Sequence, residues 1–171
     1  MKPKLSNLNA AIAYQLEAMY LVEKKLMKGL PISMSKIKSA QLKEEVKKYL
    51  NSAADKRTKL KRVFGYLLSG PYKRKNLVFG EMIRQLKVVT KMSATPYIRD
   101  VMLIVFLQEV CHYKIAVYQS SLVIAEQMEL AMVPDLLAEI LKWEMDTSQT
   151  LSKLALSSVN HKAKDRSIPA M

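Results

Sequence analysis

Three ionisable residues stand where the pattern calls for apolar side chains. Glu23, Lys56 and Glu144 each fall on a hydrophobic stripe recurring every three or four positions, and Lys114 lies within a turn of Cys111. One such intrusion reads as a long side chain snorkelling from a helix end. Three on three helices can be compared for height. If the first two helices turn near residues 39–40, Glu23 and Lys56 mirror each other; if the last two turn near residue 129, Lys114 and Glu144 do. The spacing therefore predicts that Glu23 meets Lys56 and Glu144 meets Lys114, as one polar layer in an apolar interior. Cys111 and His112 are adjacent, so on a helix they point about 100° apart and do not readily ligate one metal together. A lone Cys more often acts as a small hydrophobe. No Ser-His-Asp or Cys-His nucleophile arrangement is readable, and four glycines build no phosphate-cradling loop.

Four helical patterns must position these residues. The first carries Leu8, Ile12, Met19, Glu23, Leu26 and Leu30, with a kink expected at Pro31. The second carries Leu42, Val46, Tyr49, Ala53, Lys56, Leu60, Val63 and Leu67, and Ser69-Gly70-Pro71 should stop it. Thr95-Pro96 opens the third, which is apolar nearly all round from Val101 to Leu107 and should be the most buried. Pro134-Asp135 opens the fourth, with Leu137, Leu141, Glu144, Ser148, Leu151 and Ala155. The expected spans are about 4–37, 41–68, 96–130 and 134–158, with one or two short helices between 76 and 92. The fold expected is all-α, an antiparallel four-helix bundle with those short helices in its connector. Residues 1–160 are expected to form one domain and 161–171 a flexible basic tail.

A chain of 171 residues that is 50% hydrophobic can bury a core of that kind. The single cysteine excludes an internal disulfide framework and fits a reducing compartment. The longest uninterrupted apolar run, Val101 to Leu107, is far short of a membrane span, and polar residues break the N-terminus too often for a secretory signal. A cytoplasmic protein with no membrane partner is expected. The net charge of +13 is uneven: residues 24–99 hold 20 basic against 4 acidic groups, while residues 100–160 hold 3 against 8. Such a basic half suits a polyanion or nucleic acid, a charge-complementary second copy, or solvent alone. The candidate polyanion-binding residues are Arg57, Lys59, Lys61 and Arg62, with Lys73, Arg74 and Lys75 in the connector and Tyr72 placed to stack on a base.

The stretch from Asp100 to Leu130 resembles the third helix of the YciF/YciE-type bacterial ferritin-like family. Asp100, Leu103, Ile104, Gln108, His112, Tyr113, Ile115, Ala116 and Tyr118 fit that family's pattern without a gap, followed by Ala125-Glu126-Gln127. Tyr20, Glu23, Lys24 and Leu26 with Leu30-Pro31, then Leu137, Leu141, Glu144, Thr147 and Leu151, extend the likeness over roughly residues 5–160. The resemblance implies a ferritin-like bundle able to carry a carboxylate-bridged dimetal centre. It also implies that the site positions are Glu23, Tyr49, Ser52, Lys56, Cys111, His112, Lys114, Glu144 and Ser148. Several have changed: the family's helix 2 His and Glu become Tyr49 and Ser52, its helix 3 glutamates become Cys111 and Lys114, and the second acid of helix 4 becomes Trp143 or Ser148. Two carboxylates and two lysines remain. The expectation is a structural or binding protein, a homodimer without cofactor, with a Glu/Lys salt-bridge layer where the metals were. The alternative is an iron- or manganese-binding, oxidoreductase-type or stress-response protein using Glu23 and Glu144 with Asp146 or Glu109.

Overall fold

The computed structural model describes residues 5–70 and 76–163, and every regular element among them is helical. Helix α1 spans Leu8–Met34, α2 Ala40–Tyr66, α3 Leu77–Met92, α4 Pro96–Gln127 and α5 Val133–Ala163. Four of the starts are capped as short polar side chains cap helices: Asn7, Ser39, Asn76 and Thr95 each accept from the backbone N–H three residues on. The connector holds one helix of 16 residues, because Phe79, Met82, Ile83 and Leu86 keep a single helical stripe against the core. Lys73, Arg74, Lys75 and Tyr72 lie outside the described residues, as do residues 164–171 of the expected tail. Residues 161–163 of that tail continue α5.

α1 ends at Met34, three residues short of the expectation. The backbone N–H groups of Lys38 and Ser39 instead donate to the buried Asp100 carboxylate, at 3.0 and 2.8 Å to Oδ2. That clasp pins the α1–α2 turn to the start of α4, so α1 and α4 run antiparallel. Asn9 Nδ2 donates to Leu67 O at 3.2 Å, setting the start of α1 beside the end of α2. Lys59–Glu139 and Tyr49–Glu144 fix α2 against α5, and Gln108–Ser152 fixes α4 against α5. All four long helices are thus antiparallel to their neighbours around one core. α3 crosses outside α4, held by Asn76 Nδ2, which donates to Tyr113 Oη at 3.1 Å.

α2 stops before Gly70. Ser69 N–H bonds back to Phe64 O at 3.0 Å, and this closure puts Leu68, φ 49°, in the left-handed region. α4 ends the same way, with Glu129 at φ 51° and Leu130 N–H on Ala125 O. α4 is long and apolar enough to cross a membrane, with a mean hydropathy of 1.4. Its packing against α1, α3 and α5 accounts for that composition, since a helix apolar all round is one covered on several sides.

Candidate functional site

Each long helix sends one charge to the bundle axis: Glu23 from α1, Lys56 from α2, Lys114 from α4 and Glu144 from α5, all 0% exposed. Lys114 Nζ lies 2.6 Å from Glu23 Oε1 and 2.5 Å from Glu144 Oε1. Lys56 Nζ also donates to Glu144 Oε1. Tyr49 Oη donates to Glu144 Oε2 at 3.1 Å and accepts from Lys114 at 3.0 Å; both ammonium groups lie 4.8 Å from its ring centroid. Tyr118 Oη donates to Glu23 Oε1 at 3.2 Å, while Glu23 Oε2 is buried without a partner among the described residues. Cys111 Sγ lies 3.7 Å from Tyr49 Oη.

The pairing corrects the expectation. Lys56 bonds Glu144 across the α2–α5 interface instead of Glu23 within its own hairpin, and Lys114 bridges both glutamates. The reason is geometric: side chains aimed at a bundle axis reach any of the other three helices, so sequence mirror symmetry gives the height and not the partner.

Burial and charge act in opposition here. Burial pushes the Glu144 carboxyl up, but Lys114 and Lys56 outweigh it and hold the group below its ordinary value. At Glu23 burial wins over the same two lysines, and its carboxyl is raised. Burial works to lower Lys114, yet Glu144 and Glu23 hold that ammonium above its ordinary value. Lys56 is lowered by burial and by the Lys114 charge. The Tyr49 and Tyr118 phenols are raised by burial and by the adjacent glutamates, which keeps both as neutral donors. The Cys111 thiol is pushed up to about 12 by burial and by Glu144.

This arrangement does not suit two metal ions. A ferritin-like dimetal centre takes roughly four carboxylates with accompanying His. Among the described residues no three His, Cys, Asp or Glu side chains gather as a ligand set. Protonated amines, which have no lone pair, stand against both carboxylates instead.

Residues 7–164 match the family described as a domain of unknown function, DUF892. The chain belongs to the DUF892 family. Protein YciF of Escherichia coli strain K12 is 34% identical over 85 residues, 50% of this chain and 51% of that one, so the match spans about half the relative's length. The crystal structure of the E. coli stress protein YciF superposes with a TM-score of 0.86 at 24% identity, covering 91% of this chain and 99% of that chain. YcfI from Rhodopseudomonas palustris, provisionally described as a structural protein, gives 0.84 at 19% identity over 89% and 97%. A protein from Xanthomonas campestris pv. campestris gives 0.68 at 16% identity over 92% and 97%. These structures share the fold: this DUF892 chain is a YciF-type helical bundle.

Of the nine positions implied by the resemblance, the DUF892 fold brings six together: Glu23, Tyr49, Lys56, Cys111, Lys114 and Glu144. Three lie away from the layer. Ser52 is half-buried and bonds Tyr49 O, while Ser148 Oγ sits 3.4 Å from Nε2 of the exposed His112. Trp143 lies under Lys59, whose Nζ is 5.1 Å from its ring centroid. Glu109 and Asp146 are exposed. Sequence reasoning passed over the Tyr118 hydroxyl, although its position four residues after Lys114 puts it on the same helix face. The four candidate cations of α2 do not form one patch. Arg57 and Lys61 border α1, whereas Lys59 pairs with Glu139 of α5 at 2.7 Å, because each residue turns about 100° round the helix.

Proposed function

We propose that this DUF892 protein is a structural or binding bundle, cytoplasmic and homodimeric, whose chain of ion pairs takes the place of a dimetal carboxylate centre. Lys114 carries this reading, since its ammonium touches both remaining carboxylates, at 2.6 and 2.5 Å. A positive charge held there neutralises Glu23 and Glu144 as bound cations would, and repels any cation approaching the pair. The description of E. coli YciF as a stress protein supports a stress-linked role. One atom favours the second reading, an iron- or manganese-binding, oxidoreductase-type or stress-response protein. Glu23 Oε2 is buried with an open lone pair among the described residues. Against it, Glu109 and Asp146 would have to leave solvent to complete the ligands.

The test is a thermal melt with chelator and with millimolar Fe²⁺, Mn²⁺ or Zn²⁺, on protein expressed in iron- and manganese-supplemented medium and assayed for metal. The wild type should carry no stoichiometric metal and melt at one temperature throughout. Lys56→Glu with Lys114→Glu places four carboxylates in the layer. It should be unstable without metal and recover with it, because a cation that binds only the folded state stabilises that state. A wild-type melting temperature that climbs with metal would overturn the first reading in favour of the second.

A further inference from the structure

Helix α2 carries one edge whose exposed charges are all positive. Lys43, Lys47, Leu50, Ala54, Arg57 and Lys61 follow one another at steps of three or four, which keeps them on one edge of the helix. That edge borders α1, where Arg57 meets Tyr20 and Met27. The acids take the other edge. Glu44, Glu45 and Lys48 line an open groove with Thr150 and Lys153 of α5, and Lys48 and Asp55 line its continuation with Trp143 and Asp146. The α5 side of the helix is therefore mixed in sign, with Lys48 and the Glu139-paired Lys59 among its acids, while the exposed charges of α2 on the α1 side are all cations.

The α1–α2 seam is built around a fixed guanidinium. Arg57 Nη2 donates to Tyr20 Oη at 3.2 Å, Nη1 lies 3.5 Å from Met27 Sδ, and the guanidinium carbon stands 5.1 Å from the Tyr20 ring centroid. The Tyr20 ring packs edge-on against Phe64, with centroids 6.1 Å apart. Arg57 Nε is buried and without an acceptor among the described residues. Lys24 and Lys61 flank the same hydroxyl closely enough that, after the Arg57 hydrogen bond, their charges help lower its pKa. No described carboxylate forms an ion pair with Lys24, Lys43, Lys47, Arg57 or Lys61. Glu17, one turn before Tyr20, is buried and already engaged.

We propose that this seam, with Lys24, Arg57 and Lys61 at one end and Lys43 and Lys47 at the other, binds the phosphate backbone of a nucleic acid. From Lys43 to Lys61 the edge runs about 27 Å at the helical rise, a length suited to a chain of phosphates and not to one phosphate group. Two cation pairs stand on that edge, Lys43 with Lys47 and Arg57 with Lys61, each one turn apart and separated by Leu50 and Ala54, and the guanidinium fixed on the Tyr20 ring keeps a permanent charge there. A nucleic acid carries its charge evenly and needs no pocket. An acidic protein partner would want apolar anchors, and Leu50, Ala54 and Met27, which lie between the cations, are half-buried. The surface is separate from the buried layer, so neither proposal depends on the other.

The experiment is fluorescence anisotropy with a labelled 30-nucleotide oligo(dT) and a labelled 30-base-pair duplex, in 50 and 200 mM salt. Binding to at least one should weaken with salt, with a log–log slope of about −2 to −3 for three or four single-strand phosphate contacts. Lys24→Glu with Lys61→Glu should weaken binding about tenfold or more, through lost phosphate contacts. Lys87→Glu with Lys91→Glu, on exposed α3, makes the same charge change and should weaken it far less. Arg57→Lys keeps the charge and loses the planar fork, so it should fall between them. Melting curves establish that each variant folds, and Lys24→Ala with Lys61→Ala replaces the glutamate pair if it does not. An α3 pair as damaging as the seam pair would reduce the effect to net charge and overturn the site. Polyglutamate competing as well as oligo(dT) would point to an acidic protein instead, and no binding at 50 mM salt would end the proposal.

Discussion

The two hairpins each carry one glutamate and one lysine to the same height, and they use them differently. In α4–α5 the pair meets directly, Lys114 on Glu144 at 2.5 Å. In α1–α2 it does not: Lys56 reaches over to Glu144, and Glu23 is left with Lys114 and Tyr118. Glu144 thus receives three donors across both oxygens, and Glu23 keeps one oxygen bare among the described residues. Two identical side chains in one layer end with opposite shifts, Glu144 lowered and Glu23 raised. What separates them is the number of donors each collects, since both are fully buried.

Removing each carboxylate in turn gives the largest effect. Glu144→Gln strips two buried ammonium groups of their shared anion and should cost about 3–5 kcal/mol. Glu23→Gln leaves Lys114 still bonded to Glu144 and should cost about 1–2 kcal/mol. Urea denaturation at neutral pH measures both, and equal losses would erase the distinction between the hairpins.

The pH dependence of those losses should run in opposite directions. The folded Glu144 carboxyl lies below its unfolded value, so its contribution is present above the unfolded pKa and is lost as pH falls through the folded one. The folded Glu23 carboxyl lies above its unfolded value, so its contribution is full below the unfolded pKa and fades as pH rises through the folded one. From about pH 3 to pH 7 the penalty of Glu144→Gln should therefore widen while that of Glu23→Gln narrows. Parallel curves from a pH series of denaturant melts would contradict this.

The smallest effect compares the helix ends. Leu68 after α2 and Glu129 after α4 both hold a left-handed backbone that a side chain disfavours, and Leu68 is 95% exposed, with little packing to lose. Leu68→Gly should stabilise by about 0.5–1 kcal/mol, and Glu129→Gly by a similar amount. A gain at one turn and none at the other, read by thermal melts, would show that the two turns are not equivalent.

Much of the bundle was legible because the stripes through Glu23, Lys56 and Glu144 are long and periodic, and because Thr95-Pro96 is a good helix start. The height of the layer followed from counting residues to each turn. Its pairing was not legible, since the reach of Lys56 to Glu144 depends on which helices adjoin. The end of α2 was legible to within two residues: Ser69-Gly70-Pro71 announces the stop near residue 68, and the helix ends at Tyr66 with Ser69 N–H closing onto Phe64 O. The adjacency of Arg57, Lys59, Lys61 and Arg62 misled, because helical rotation spreads neighbours over different faces. Asp100 belongs to the motif that carried the resemblance, yet its clasp on Lys38 and Ser39 joins residues more than 60 apart, and no local pattern announces it.

Cys111 turns the closed layer into a recorder. Its thiol is fully buried and pushed up to about 12, so at neutral pH it stays protonated and inert toward alkylating reagents. Opening of the bundle both uncovers the sulfur and returns it to an ordinary acidity. The slow step of labelling then belongs to the protein and not to the reagent, and each molecule that opens keeps a covalent mark of having done so.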